Sequence, residues 1–452
     1  MHVKPQCDSS SSLAIMGGQA IASGVRFPLD DATCSQAAAE AVLTTLKSGK
    51  WSLFTSRDIV DFEEEFADYI GARYAILFNS CTTALHASLL AHGVSSGGAV
   101  AMPAFTYIGT CMPALAIGAS PVYVDLESRS QSLCAHDLAR VIESVPLQAV
   151  IQAHLFGCCG DLERVHALCQ EWKIGLIHDC AQLLGNRHVT ERVCQSGVTC
   201  FSFGESKILR IGEGGAAATN SAELAEKLRL VRHEGELWLR SGQSRVSGWR
   251  PTAVDVLEHL ASVAVGLNYR PVALLASLGR VKLRELDGHL ALTRRNAEYL
   301  LRGLSGLEGL TLPTDAGRTW WTFPVLLDDF LDRNAFLAAL LAEGIPVGVH
   351  FPRLTSEHPA AAARSHEGQG LCPNAVRFAR QHIVLPIYPA LSEDHMQSII
   401  DGVKKVGAAS ERERHAYTGR ARKILEEARL RELVGGLFLF VDGPVCECTS
   451  SS

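Results

Sequence analysis

Positive charge is not in excess in this chain. Its 452 residues carry 42 Lys and Arg against 48 Asp and Glu, a formal charge of −6, so nothing in the composition draws it to nucleic acid or an anionic lipid surface. An uninterrupted membrane span is also lacking. Between Gly97 and Val124 no residue is charged, but Pro103, Pro113 and several Gly, Ser and Thr residues divide the stretch, and a buried strand, helix and second strand are expected there. The start, MHVKPQCDSSSSLAIMGGQ, has no basic segment running into a continuous apolar core. The fourteen cysteines are scattered along a long chain, so reduced thiols in a cytoplasm are expected. Neither Cys158-Cys159 nor the terminal CEC completes a four-ligand spacing, and no metal site is expected. The glycine cluster GEGG does not satisfy G-x-G-x-x-G, which disfavours a dinucleotide-binding dehydrogenase. No repeat of solenoid length occurs.

What is present is a rhythm. Strand-length apolar runs alternate with helical patterns: YAILFN (74–79), then TTALHASLLAHG; AVAMPAFT, then IGTCMPALAIGA; PVYVDL; LQAVIQAHLFG, then DLERVHALCQEW; IGLIHDCA. This predicts an α/β domain with a mainly parallel sheet flanked by helices. Sites in such sheets form at the carboxyl ends of strands, where Asn79, Ser80, Thr106, Tyr107, His154, Asp179 and Ser202 fall. Around residue 290 the pattern changes to WWTFPVLL, RNAFLAALLAEG, IPVGVHF and HIVLPIY, with a final helix from Ser392, a smaller α+β domain. The reading divides the chain into an N-terminal segment (1–25), a large domain (26–290), a small domain (291–407) and an extension (408–452). Tyr417, Ala421, Ile424, Leu425 and Ala428 share one helical face of the extension, and its end reads as disordered.

A lysine after a strand is ordinarily solvated. Lys207, however, lies between the strand-like CFSFG and the turn GEGG, where Gly212, Gly214 and Gly215 allow close backbone approach and Ser202 offers a hydroxyl. A pocket for a phosphorylated cofactor is one economical explanation, although tight turns also use glycine. The turn Ser80-Cys81-Thr82 reads either as a plain N-cap or as a phosphate site at a helix N-terminus. Asp179 ends a strand in the middle of the sheet, where a carboxylate needs a cationic partner or strong donors. The protonated ring nitrogen of pyridoxal phosphate, a cofactor carried on a lysine, is such a partner.

Taken together, SGKWSLFTSRDIVDFEEEFADYIGARYAILFNSCTTALHASLLAHGV, PAFTYIGT, AHLFG, HDCAQLLG, FSFGESKILRIGEGG and LRLVRHEGE resemble, in order, the motifs of the DegT/DnrJ/EryC1/StrS pyridoxal-phosphate aminotransferases. The resemblance runs over roughly residues 20 to 405. It implies the fold-type I aminotransferase architecture and a homodimer with the cofactor between the two domains near the dimer interface. It implies that Lys207 carries the cofactor covalently, that Asp179 faces the pyridine nitrogen, that Gln182 lies near the phenolic oxygen and that Tyr107 stacks on the ring. Ser202, Ser80, Cys81 and Thr82 would form the phosphate cup with Asn268 of GLNYRP, reaching across from the other subunit. His350 and Phe351 match the family's HY-x-P near the substrate entrance, and Arg270, Arg294, Arg295 and Arg353 are available to line it. Cys81 replaces the glycine of the family turn, HDC replaces EDA, and NRHVTERVCQSGVT lacks the glycine-rich hairpin. His154 and His233 read either as site residues or as hydrogen-bonded structural histidines.

The implied reaction moves an amino group from L-glutamate or L-glutamine to a nucleotide-linked keto sugar. A keto-cyclitol of the scyllo-inosose type, or chemistry similar to the aminohydroxybenzoate synthases, is the alternative. A dehydratase of this fold carries histidine in place of the lysine, so Lys207 argues against one.

Overall fold

The computed structural model describes residues 12–28, 34–128, 130–236, 262–314, 317–364 and 371–421. Seven strands form the main sheet: β1 (Tyr74–Phe78), β2 (Ala99–Pro103), β3 (Ser120–Val124), β4 (Leu147–Ala153), β5 (Gly175–Asp179), β6 (Val198–Ser202) and β7 (Gly215–Thr219). Their order is β1-β7-β6-β5-β4-β2-β3. Every neighbouring pair is parallel except those made by β7, which runs antiparallel to both β1 and β6. The expected α/β class with a mainly parallel sheet is thus realised, and β5 lies fourth of the seven. The uncharged stretch 97–124 folds as β2, helix α4 (Ile108–Ile117) and β3. No helix among the described residues is long and apolar enough to cross a membrane.

Alternation along the strands assigns each side chain to a face. In β1, Ile76 and Phe78 join a core under α3 (Cys81–Ala91) and α4, while Ala75 and Leu77 join the core on the opposite face. That second face is covered by α2 (Asp58–Ile70), α7 (Arg187–Ser196) and the first half of a 32-residue helix, Ala273–Leu304. The segment NRHVTERVCQSGVT, with no hairpin glycines, folds as α7, capped by the side chain of Asn186 on Val189 N–H.

The long helix links the two cores. Ala273, Ala276, Leu283 and Leu286 pack on the large sheet, whereas Ala297, Leu300 and Leu304 pack in the small domain. The boundary read from the sequence at 290 falls inside it, because the helix runs on through Gly288 where the packing partner changes. The small domain has the antiparallel sheet β8 (Leu310–Thr311), β9 (Phe323–Leu327) and β10 (His382–Leu385), in the order β10-β9-β8. IPVGVHF contributes one bridge, Gly348 to Val384. Across the domains, the Asp125 carboxylate accepts hydrogen bonds from Ala375 N–H (2.8 Å) and Asn374 N–H (3.2 Å), capping the helix Pro373–Gln381.

The first and last described segments both pack on the small domain. Leu13, Ile15 and Ala22 are buried in its core, as are Tyr417 and Ala421 of a helix over residues 411–421. The fully buried Glu343 accepts from Ala14 N–H (2.8 Å) and Ile21 N–H (2.9 Å), and Lys405 Nζ donates to it at 3.0 Å. Ile424, Leu425 and Ala428, placed on the same face by the sequence, lie outside the described residues.

Candidate active site

The polar residues closing β1, β5 and β6 meet at one edge of the sheet because those strands point the same way. Gly215, the first residue of antiparallel β7, pairs with both Phe78 and Ser202. A Cβ on Gly215 would lie 2.4 Å from Cys81 N and from Ser80 C, so only glycine allows β7 to pass against the start of α3. Ser80 is the N-cap of α3, its Oγ accepting from Thr83 N–H at 3.2 Å. The plain N-cap reading therefore holds for its hydroxyl, while the positive end of the helix dipole still faces this edge. Cys81 buries its side chain in the core beneath α3. Burial raises its pKa well above the ordinary thiol value, Asp179 and Cys200 add to this, and Lys207 opposes it; the group is a neutral thiol.

Lys207 sits in the loop between β6 and β7, closed by Phe203 N–H to Gly214 O (2.9 Å) and Ile211 N–H to Phe203 O (2.9 Å). Trp321 pins the loop through Nε1–H to Ser206 O (2.8 Å) and lays its ring under Lys207 Nζ, 4.8 Å from the centroid. Burial lowers the lysine pKa, and the charges of Asp179 and Cys81 work against this. Lys207 forms no ion pair among the described residues, so its amine is biased toward the neutral, nucleophilic form.

Asp179 ends the central strand at 8 % exposure. Its Oδ2 accepts from Thr110 Oγ1 (2.7 Å) and its Oδ1 from Ala181 N–H (3.1 Å). Burial raises its pKa; the Thr110 and Ala181 hydrogen bonds and the Lys207 charge pull the other way. Thr106 continues the chain, with its hydroxyl 2.9 Å from that of Thr110.

Around this pair, Ser202 is half-buried at the end of β6 and Thr82 is half-buried in the first turn of α3. Tyr107, the N-cap residue of α4, is 48 % exposed with its ring 5.7 Å from that of Phe351. Gln182 uses its carbonyl oxygen to accept from Phe156 N–H (2.6 Å), leaving its amide nitrogen without a protein acceptor among the described residues. His350 stacks on Trp321 at 4.7 Å. Its Nε2 is buried without a partner, and burial lowers its pKa to about 3, with His382 and Lys207 adding to the effect. A cavity of about 200 Å³ opens beside it, with Arg210, Trp321 and Tyr388 in its wall.

Other expected residues are engaged elsewhere. Arg270 is tied to His233 and to Glu234 (2.5 Å), and Arg295 donates to Asn296 Oδ1 and Leu391 O. Asn268 is exposed, bridged to His233 within a stretch in which Val263, Val265 and Leu267 are exposed. His154 and His178 form a buried pair (3.0 Å) that continues to Ser196 (2.8 Å), a structural arrangement behind Asp179. Thr110, Trp321 and Arg210 were not singled out from the sequence. The aromatic doublet at 320 and 321 was the available signal for Trp321; nothing local connects Thr110 to a carboxylate 69 positions away.

A family model described as the DegT/DnrJ/EryC1/StrS aminotransferase family matches residues 33–404. The chain is 31% identical over 350 residues to the UDP-2-acetamido-2-deoxy-3-oxo-D-glucuronate aminotransferase of Pseudomonas aeruginosa, covering 76% of this chain and 89% of that one. It is 30% identical over 370 residues to the dTDP-3-amino-3,4,6-trideoxy-alpha-D-glucose transaminase of Streptomyces venezuelae, covering 81% and 90%. The crystal structure of S. venezuelae DesV superposes with a TM-score of 0.72 at 29% identity, covering 83% of this chain and 95% of that one.

Proposed function

The chain belongs to the DegT/DnrJ/EryC1/StrS aminotransferase family, and from that premise we propose that it transfers an amino group from L-glutamate or L-glutamine to a nucleotide-linked keto sugar, using pyridoxal 5′-phosphate held by Lys207. The observation that carries this reading is the amine of half-buried Lys207, which has no ion pair among the described residues and lies over Trp321 in the field of the buried Asp179 carboxylate. Relatives named for UDP-, dTDP- and GDP-linked sugars support the acceptor class.

The residues present fit the cofactor. The donor set suits a phosphate: Gly215 pairs with Ser202 and passes against the backbone of Ser80 and Cys81, which brings the Ser202 hydroxyl up to the N-terminal turn of α3, where Thr82 lies. Tyr107 has an exposed ring face, and Gln182 keeps a free amide nitrogen. When bound, pyridoxal phosphate supplies an electron sink that lets the donor's Cα–H bond break heterolytically. Lys207 Nζ would hold the cofactor, and its lowered pKa favours the neutral amine that can take a proton from the donor's α-carbon. Asp179, whose carboxylate form the Thr110 and Ala181 hydrogen bonds favour against the upward pull of burial, would keep a proton on the ring nitrogen. Trp321 covers one side of the amine, and His350 stacks on Trp321.

Two copies complete the site in this reading. Val263, Val265 and Leu267 expose apolar surface in the stretch that leads to Asn268, and Leu43, Leu46 and Trp51 are exposed in and just after the helix Gln36–Ser48, surfaces suited to a partner subunit. The eleven free cysteines among the described residues accord with a reducing cytoplasm.

The test is to supply L-glutamate with a panel of UDP-, dTDP- and GDP-linked 3-keto and 4-keto sugars, beside scyllo-inosose and 2-deoxy-scyllo-inosose, and to identify the aminated product by mass spectrometry. Amination of a nucleotide-linked sugar is expected. An aminated cyclitol with no nucleotide-sugar product would replace the acceptor class and leave the chain an aminotransferase.

A further inference from the structure

The small domain reaches the site around Lys207 through one short run of chain between β8 and β9, Arg318 to Trp321. Trp321 pins the Lys207 loop at Ser206 O. Arg318 and Thr319 converge instead on Gln182. Arg318 is 1 % exposed, and its guanidinium donates to Phe156 O (3.0 Å), Thr314 O (3.2 Å) and Gln131 Oε1 (3.5 Å). Phe156 N–H donates in turn to Gln182 Oε1 at 2.6 Å. Thr319 donates through Oγ1 to Gln182 O (3.3 Å) and through N–H to Gly157 O (3.0 Å).

Phe156 is the strained member of this chain. Its φ of 53° and ψ of 26° put a bulky residue in the left-handed region, which such residues leave unless their surroundings hold them. Its ring is fully buried, 5.6 Å from that of Phe378, and both polar groups of its backbone are engaged, the N–H by Gln182 and the carbonyl by Arg318. An N–H pairs only with the oxygen end of the Gln182 amide, so this turn also decides that the nitrogen end, a donor, is the one left over. The packing leaves no slack beside it: a Cβ on Gly157 would lie 2.4 Å from Thr319 Oγ1.

We propose that Arg318 is a positioning residue for the cofactor: by holding the left-handed turn at Phe156 it fixes the Gln182 amide with its nitrogen toward the phenolic oxygen, while Thr319 steadies Gln182 from its backbone. The inference rests on the reading above of pyridoxal phosphate as the cofactor, with Gln182 beside its phenolic oxygen. A donor at that oxygen favours its anionic form. A small-domain arginine thus sets the protonation of a group carried by the large domain.

The test is the pH at which the visible absorption band of the pyridoxal-phosphate-loaded enzyme titrates. Gln182→Leu removes the donor, and the midpoint is expected to rise by about one unit. Arg318→Met keeps the length of the side chain and loses its hydrogen bonds, and should raise the midpoint by about half a unit. The double variant should stand no higher than Gln182→Leu alone, because both changes act through one donor. If Arg318→Met does not fold, Thr319→Val, which keeps the shape and loses the hydroxyl, supplies the same cycle. A structural role alone would lower the melting temperature and leave the midpoint in place. A midpoint unmoved by the small-domain variants, or shifts that add in the double variant, would overturn the inference and leave the cofactor assignment standing. A midpoint unmoved in Gln182→Leu would take Gln182 away from the phenolic oxygen and the inference with it. A wild-type enzyme that binds no pyridoxal phosphate would end the cofactor reading itself.

Discussion

Thr110 holds Asp179. Its hydroxyl, wholly buried on α4, donates a 2.7 Å hydrogen bond to the carboxylate that closes the central strand. This bond lowers the Asp179 pKa against the upward pull of burial. Removing it in Thr110→Val raises that pKa, so the acid limb of the pH–rate profile is expected to move up by about one unit or more, since a hydrogen bond to a charged group is worth about 1.5–3 kcal/mol. Thr110→Ser should restore the wild-type limb. A profile that stays in place in Thr110→Val would remove Thr110 from the function of Asp179.

Lys207 and Asp179 divide the chemistry, and their variants should fail differently. Borohydride reduction of the loaded enzyme is expected to fix the cofactor on the peptide containing Lys207. Lys207→Ala should bind cofactor without covalent attachment and lose turnover by several orders of magnitude. Asp179→Asn keeps the shape and loses the charge, with a cost of about 10²-fold or more in kcat. Label on another lysine, or a fully active Asp179→Asn, would break this division.

Asn268 is exposed amid Val263, Val265 and Leu267, which fits a residue that serves the partner's site. Mixing inactive Lys207→Ala and Asn268→Ala chains should restore part of the activity once subunits exchange, because some heterodimers then carry one intact site. Proven exchange with no recovery would place Asn268 in its own subunit's structure.

Burial lowers the pKa of both His154 and His382 to about 4. In the unfolded chain these rings take up protons as pH falls through about 6.5, whereas in the fold they stay neutral until about 4. The unfolded state therefore binds more protons across that window. Stability is complete above about pH 6.5 and declines as pH falls toward 4, by about 1.4 kcal/mol per unit for each ring that remains neutral. Urea midpoints should accordingly be lower at pH 5 than at pH 7, above the range where ordinary carboxylates titrate. Equal midpoints would show that the rings accept protons within the fold.

The sequence was informative wherever a local pattern carried the constraint. Alternating strands and helices announced the sheet, and the polar residue closing each run identified Asp179 and Ser202 before their strands were aligned. A lysine followed by a glycine turn marked the loop that the structure closes over Trp321. Contacts between distant segments were not legible in this way. Thr110 meets Asp179 only because β2 and β5 both border β4. The long helix has no proline and runs on through Gly279 and Gly288 from one core to the other, so its change of partner does not coincide with a helix end at residue 290. Gly215 was visible as flexible, but the reason it must be glycine, the backbone of Ser80 and Cys81 against it, belongs to the folded molecule alone.

Glu343 sets an order of events during synthesis. Its carboxylate is fully buried and holds Ala14 and Ile21 together with Lys405, so the earliest of these segments to leave the ribosome has no seat until more than three hundred further residues have followed. The small domain thus closes over its own beginning as a late step. Removing residues up to Ala22 would leave a nascent chain with Glu343 held by Lys405 alone, beside an open apolar groove where Leu13 and Ile15 should dock.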